Sequence, residues 1–256
     1  MTDLEKNAGA GGGPDVYLTV DVEPDCPPYL WTWRGIVEGM PALMEVLDRE
    51  QVPVTFFTTG ATAQAHPDCI RSIVDRGHEL ACHGYSHNSF REMDEAQARA
   101  EITQTNAILR AFAPVTSFRA PYLSFQERFL PILVEDGITV DASRALYKRQ
   151  EPVARTSGGP ARLPASVTSS VLRLPEMIRN PWLGMLKSPV TLFVHPWEFV
   201  DLTSERLRYD CRFRTGAPAL GALRSTIGFF RDKGANFRLV RDYAPASGQG
   251  APASPS

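Results

Sequence analysis

Val16-Tyr17-Leu18-Thr19-Val20-Asp21-Val22-Glu23-Pro24-Asp25 is a β-rich run that ends in three carboxylates within five residues. β-Branched and aromatic side chains suit a pleated, largely buried surface, so Val16 to Val20 predicts a strand whose end delivers Asp21. Three acids at a strand end are either a solvated turn or the source of a metal ligand and a separate general base. The segments that follow decide between these readings.

Proline suits a first helical turn, so Pro41 with the apolar positions Leu43, Met44 and Leu47 predicts a helix and completes one strand–helix unit. The unit repeats with Val54 to Thr58 as a strand and Pro67 to Arg76 as a helix stopped by Gly77. Leu80 to Cys82 is the next strand. Ala98, Ile102, Thr105, Leu109 and Phe112 then recur at helical spacing within a helix from Met93 to Phe112. Thr116 to Arg119 predicts a strand, Gln126 to Asp136 a helix, and Ile138 to Asp141 another strand. Tyr147 to Thr168, rich in Gly, Pro and Arg, predicts an irregular functional loop. Val171 to Leu174 and Val190 to Val194 predict two strands. Leu220, Leu223, Ile227 and Phe230 form the stripe of a last helix ended by Gly234, and Phe237 to Val240 returns to the sheet. Such alternation implies a parallel α/β sheet, either doubly wound or closed into a barrel.

A chain of 256 residues suits one such domain, expected over residues 15–243 between a flexible lead-in at 1–14 and a disordered tail at 244–256. The 27 basic and 29 acidic residues are evenly scattered and give a net charge of −2, which excludes a nucleic-acid face. Cys26, Cys69, Cys82 and Cys211 form no Cys-x-x-Cys and read as reduced, mostly buried thiols. The lead-in has no apolar core, and no run approaches the ~18 apolar residues of a membrane span, so a cytoplasmic protein is expected.

Cys82-His83-Gly84-Tyr85-Ser86-His87 holds two histidines four apart, a spacing that can place both on one helical face around a single metal ion. With an acid from the Asp21–Asp25 cluster they make a two-His, one-carboxylate site that leaves positions open for water and substrate. Arg119-Ala120-Pro121-Tyr122 brings a cation that can orient a carboxylate, and His195, after an apolar strand, can deliver a proton. Asp21, His83, Arg119, Asp141 and His195 each fall at or just past the C-terminal end of a predicted strand, the rim where parallel barrels and open sheets build active sites.

Taken in order, Thr19-Val20-Asp21-Val22-Glu23, His83-x-x-x-His87, Arg119-Ala120-Pro121-Tyr122, Val140-Asp141 and Val194-His195-Pro196 resemble the polysaccharide deacetylase family, carbohydrate esterase family 4, with its NodB homology domain. The resemblance covers roughly Asp15 to Tyr243. It implies a distorted (β/α) barrel, here of seven strand–helix units, with the active site at the C-terminal ends of the strands. It also implies a metal, zinc or another divalent transition metal, held by Glu23, His83 and His87. Asp21 falls on the family's general base, Arg119 on the residue that orients it, the Tyr122 backbone N–H on part of the oxyanion hole, and His195 on the general acid. Asp141 is a loose match for the aspartate that supports that acid. Asp-x-Glu replaces a pair of aspartates, so the acidic ligand is Glu23, Asp25 or a water held by either.

The implied reaction is metal-dependent removal of an N-acyl group, most simply acetyl, from an amino sugar. The expected partner is an N-acylated carbohydrate or a small-molecule amide. The alternatives are a cytosolic amidase, such as a deformylase of a lipid-linked sugar or an allantoinase-like enzyme, and a degenerate carbohydrate-binding protein that has lost catalysis. Tyr29, Trp31 and Trp33 suit either a sugar-stacking platform or a cap on the core.

Overall fold

The computed structural model describes residues 12–30, 32–148 and 158–245. Most of the lead-in, Trp31, part of the Gly/Pro/Arg-rich loop and most of the tail therefore lie outside the described residues. The chain runs β1 (Asp15–Val22), α1 (Met40–Glu50), β2 (Thr55–Thr58), α2 (Gly60–Ala65), α3 (Pro67–Asp75), β3 (Glu79–Cys82), α4 (Glu95–Leu109), β4 (Ser117–Phe118) and α5 (Leu130–Glu135). It continues through β5 (Val140–Asp141), β6 (Ala161–Arg162), α6 (Ser169–Leu172), α7 (Glu176–Gly184), β7 (Val190–Val194), α8 (Tyr209–Arg212), α9 (Ala217–Asp232) and β8 (Asn236–Phe237).

Seven strands lie in the order β6-β5-β4-β3-β2-β1-β7, every pairing is parallel, and the short β8 joins the start of β1. Period-2 alternation divides the apolar residues between two cores. Phe56 belongs to the large core between the strands and the surrounding helices. Its neighbour Phe57 points the other way and joins Tyr17, Ala81, Val140 and Leu163 in a cluster inside the curl. The curl nearly closes where the Ser166 N–H donates to the Thr191 carbonyl at 2.8 Å and the Thr191 N–H donates to the Ser166 hydroxyl at 2.9 Å. This is the distorted (β/α) barrel expected from the sequence.

Four local expectations are corrected. Val171 to Leu174 does not form a strand: Val171 and Leu172 lie buried in the helical turn α6, because Ser166 already occupies the hydrogen-bonding edge of β7 that a further strand would need. The loop from Tyr147 contains the short strand β6, which pairs with β5. The closing strand is Asn236–Phe237, after which Val240–Asp242 turns as a 3₁₀ helix. Finally, His83 and His87 lie on no helix. They sit in the loop after β3, where Gly84 has φ +73° and His87 has φ +60°.

Candidate active site

β1 ends by placing Asp21 and Glu23 on the same side of the chain, both buried. Arg119, fully buried after β4, donates to Asp21 Oδ1 at 2.6 Å and to the Thr19 hydroxyl at 2.8 Å. Its guanidinium lies 4.2 Å from the Phe57 ring centroid. An aromatic face beneath and a carboxylate ahead fix the cation in one pose, so one oxygen of Asp21 is committed to it.

Glu23 sits among three imidazoles. Its Oε2 is 2.6 Å from His87 Nε2 and 3.3 Å from His83 Nε2, and its Oε1 is 3.8 Å from His195 Nε2. The indole N–H of Trp197 donates to Oε1 at 3.4 Å. Burial alone would raise the Glu23 carboxyl, but the charges of His87 and His195 and the hydrogen bonds to His83 and His87 hold it well below the usual carboxylate range.

Glu23, His83 and His87 offer donor atoms within 4.8 Å of one another, and all three residues are buried. His83 Nδ1 is 2.7 Å from the Arg119 carbonyl, an acceptor only, so Nδ1 carries the proton. In the neutral ring Nε2 is then a bare lone pair aimed at a carboxylate oxygen. Two acceptors face to face are stabilised by a cation between them, and two imidazoles with one carboxylate are the donor set of a zinc-class ion. The residues therefore fit a divalent transition metal.

Asp25 stands apart from this cluster. Its carboxylate accepts the backbone N–H groups of Arg34 and Gly35, each at 2.8 Å, and the Thr32 hydroxyl at 2.5 Å. It fastens the turn that leads into α1, so Glu23 is the acid facing the histidines. Of the aromatics that suited either a sugar platform or a cap on the core, Trp33 packs on the main core with its ring edge-on to His66, and Tyr29 is exposed.

His195 follows β7 and its ring stacks on Trp197 at 4.8 Å. The residue behind it is Glu198, which sequence reasoning missed. Glu198 Oε1 is 2.7 Å from His195 Nδ1, and the buried Arg173 holds Oε2 at 2.8 Å. Asp141, expected in that role, instead pairs with Arg162 at 2.9 Å and accepts the Ser143 N–H at 2.9 Å. The physical reason is local: Arg162 on the adjacent β6 takes up Asp141, whereas Glu198 lies one 3₁₀ turn beyond His195. His-Pro-x-Glu, the spacing of a capping box, was the available signal.

Burial alone would depress the His195 pKa, but Glu23, Glu198 and Asp21 together push it up to about 9. A cation beside Glu23 offsets that carboxylate and lowers His195 in turn. Glycine governs how this segment approaches α1, since a Cβ on Gly39 would lie 2.1 Å from the Pro196 carbonyl oxygen.

Tyr122 follows Pro121 in a 3₁₀ turn with φ +58°, and Leu123 has φ +49°. Two successive non-glycine residues in the left-handed region cost about 1–3 kcal/mol each and mark a backbone held in place by its surroundings. Asp21, Glu23, His83, His87, Tyr122 and His195 all line one cavity of about 230 Å³. Arg119 reaches this group through Asp21, whereas Asp141 and Asp25 stand outside it.

Residues 8–140, just over half of the chain, match the sequence profile of the polysaccharide deacetylase family. The chitooligosaccharide deacetylase of Sinorhizobium fredii is 34% identical over 130 residues, which are 50% of this chain and 55% of that protein. The peptidoglycan-N-acetylglucosamine deacetylase of Bacillus cereus is 29% identical over 143 residues, 54% of this chain and 48% of its own. The chain spans about half the length of these curated relatives. The family 4 carbohydrate esterase of Streptomyces lividans, solved in complex with acetate, matches the fold with a TM-score of 0.60 at 19% identity, over 88% of this chain and 92% of that one. The profile match takes in the strands that carry Asp21, Glu23, His83, His87 and Arg119, and by that match the chain belongs to the polysaccharide deacetylase family.

Proposed function

We propose that the protein is a metal-dependent deacetylase that removes an N-acetyl group from an amino sugar within an oligosaccharide or polysaccharide. One observation carries the reading: Asp21, the Glu23–His83–His87 donor set and His195 converge on a single cavity. The names of the two sequence relatives, both deacetylases of amino-sugar polymers, support the substrate class.

Glu23, His83 and His87 would hold the ion. A zinc-class ion, when bound, polarises a carbonyl and lowers the pKa of water. Asp21 accepts the water proton, and the Arg119 bond to its other oxygen keeps the free one directed at the pocket. The Tyr122 backbone N–H donates to the oxyanion that develops on the acyl carbon. His195 gives its Nε2 proton to the departing nitrogen, because an unprotonated amine is a poor leaving group. Glu198, held by Arg173, accepts at Nδ1 and fixes the ring for that transfer. Loss of catalysis has little left to recommend it, since Glu198 supplies the support that Asp141 does not.

The test separates binding from chemistry. Asp21→Asn is expected to retain the metal and lose turnover by roughly 10²–10⁴-fold, the usual share of a positioned acid–base group. Glu23→Gln and His83→Ala are expected to lose metal by elemental analysis. Equal metal content in wild type and His83→Ala, or release of metal by Asp21→Asn, would overturn these roles.

A further inference from the structure

A second cavity of about 950 Å³ opens beside the catalytic pocket and shares Tyr122, Leu123 and Lys148 with it. Its walls carry four cationic side chains, Arg91, Arg128, Arg144 and Lys148, against one carboxylate, Glu127. Glu127 is already engaged. Arg162 donates to its two oxygens at 3.0 and 3.1 Å, and Arg144 lies 3.6 Å away. Among the described residues no carboxylate forms an ion pair with Arg91, Arg128 or Lys148.

Two of these cations are nevertheless held in place. Lys148 donates to the Tyr122 carbonyl at 2.5 Å, and Arg128 donates to the Met93 carbonyl at 3.1 Å while its guanidinium lies 4.7 Å from the Phe129 ring centroid. Burial and then the nearby Arg91 both lower the Lys148 pKa, as expected where like charges share one wall. The chain as a whole carries a net charge of −2, so this positive groove is a local concentration rather than a general property. Positive side chains gathered in a concave site attract anions, and guanidinium groups match the planar fork of carboxylate or phosphate oxygens. The catalytic pocket is the smaller of the two cavities, and the groove meets it at Tyr122, whose N–H is assigned to the oxyanion.

We propose that the groove is an anion subsite, and that the preferred substrate carries a carboxylate or phosphate on the sugar next to the one that loses its acyl group. This rests on the deacetylase reading for the position of the reacting sugar. Lys148 lines both cavities and faces the anion at their junction, while Arg91, Arg128 and Arg144 carry the positive wall through the groove.

The test uses the metal-loaded Asp21→Asn chain, so that binding is read without turnover. Three probes are titrated by calorimetry: a neutral N-acetylglucosamine oligomer, an oligomer of equal length with uronic acid at alternate sugars, and the neutral oligomer phosphorylated at its reducing end. At low salt, one or both anionic probes are expected to bind about tenfold more tightly than the neutral one, with the margin shrinking as salt approaches about 0.5 M. Whichever probe gains identifies the source of the anion. Arg91→Gln, alone and with Arg128→Gln, is expected to reduce the anionic-to-neutral ratio, whereas Arg49→Gln, outside the groove, leaves that ratio unchanged. Equal binding of all three probes, or loss of neutral and anionic binding in the same proportion, would overturn the proposal. If the anionic preference holds but the wild-type enzyme deacetylates none of the three, the deacetylase reading fails and the anion subsite stands.

Discussion

At the scale of single residues, Glu198 is the carboxylate that holds His195, and Arg173 holds Glu198 in turn. Glu198→Gln keeps an acceptor near Nδ1 but removes the charge that raises His195, and it leaves the buried Arg173 without its anion. Breaking a buried pair costs about 3–5 kcal/mol, so thermal or denaturant unfolding should show a clear loss of stability. Amide turnover should fall roughly 10–100-fold, while activated aryl esters, whose leaving groups need little protonation, should slow less. An unchanged ratio between the two substrate types would reduce Glu198 to a structural partner of Arg173. His195→Ala supplies the companion measurement and should show the same asymmetry in stronger form.

At the scale of elements, the loop that carries His83 and His87 is fastened by the helix that follows it. Glu101, on α4, accepts the Tyr85 N–H at 2.6 Å, the Ser86 N–H at 2.9 Å and the Ser86 hydroxyl at 2.5 Å. These bonds hold the chain between His83 and His87, where the positive φ of Gly84 makes the turn. Supporting residues of this kind usually change metal affinity 10–100-fold, so Glu101→Ala should weaken zinc binding by about that factor while the fold survives. Competition with a chromophoric chelator measures it, and an unaltered affinity would show that the loop holds without α4. Spacing alone could not reveal this device, because residues four apart suggest a helical face whether or not a helix forms.

At the scale of the whole molecule, the barrel separates chemistry from a buried acid at its other end. Glu79 opens β3 and accepts the Thr55 and Ser117 hydroxyls at 2.6 Å each and the Arg241 N–H at 3.0 Å. Burial raises its pKa despite those bonds. The folded protein therefore keeps a proton that the unfolded chain releases. The group's contribution to stability is complete below the ordinary carboxylate range and is lost as pH rises through the raised folded value. Glu79→Gln imitates the protonated form, with its oxygen able to accept from Thr55 and Arg241 and its amide able to donate to Ser117. The variant should be more stable than wild type near about pH 8 and differ little near about pH 4. Urea unfolding at the two pH values checks this, and a variant less stable at both would remove the charge of Glu79 from the explanation.

The sequence by itself determined the alternation of strands and helices, the rim on which Asp21, His83, Arg119, Asp141 and His195 fall, and the family. Each of these is local: hydrophobic period, turn residues and short ordered motifs stand next to one another along the chain. Tertiary structure alone decided which acid meets which base. Asp25 and Glu23 are equivalent candidates in sequence, yet one fastens a turn while the other stands among three imidazoles. Asp141 is taken up by Arg162 on the neighbouring β6, and Glu198, which the sequence did not single out, stands behind His195 in its stead. Glu101, Arg173 and the positive groove beside Tyr122 were invisible in the same way. Their effect depends on distances across the barrel, and electrostatic coupling falls off with distance in space, not with separation along the chain.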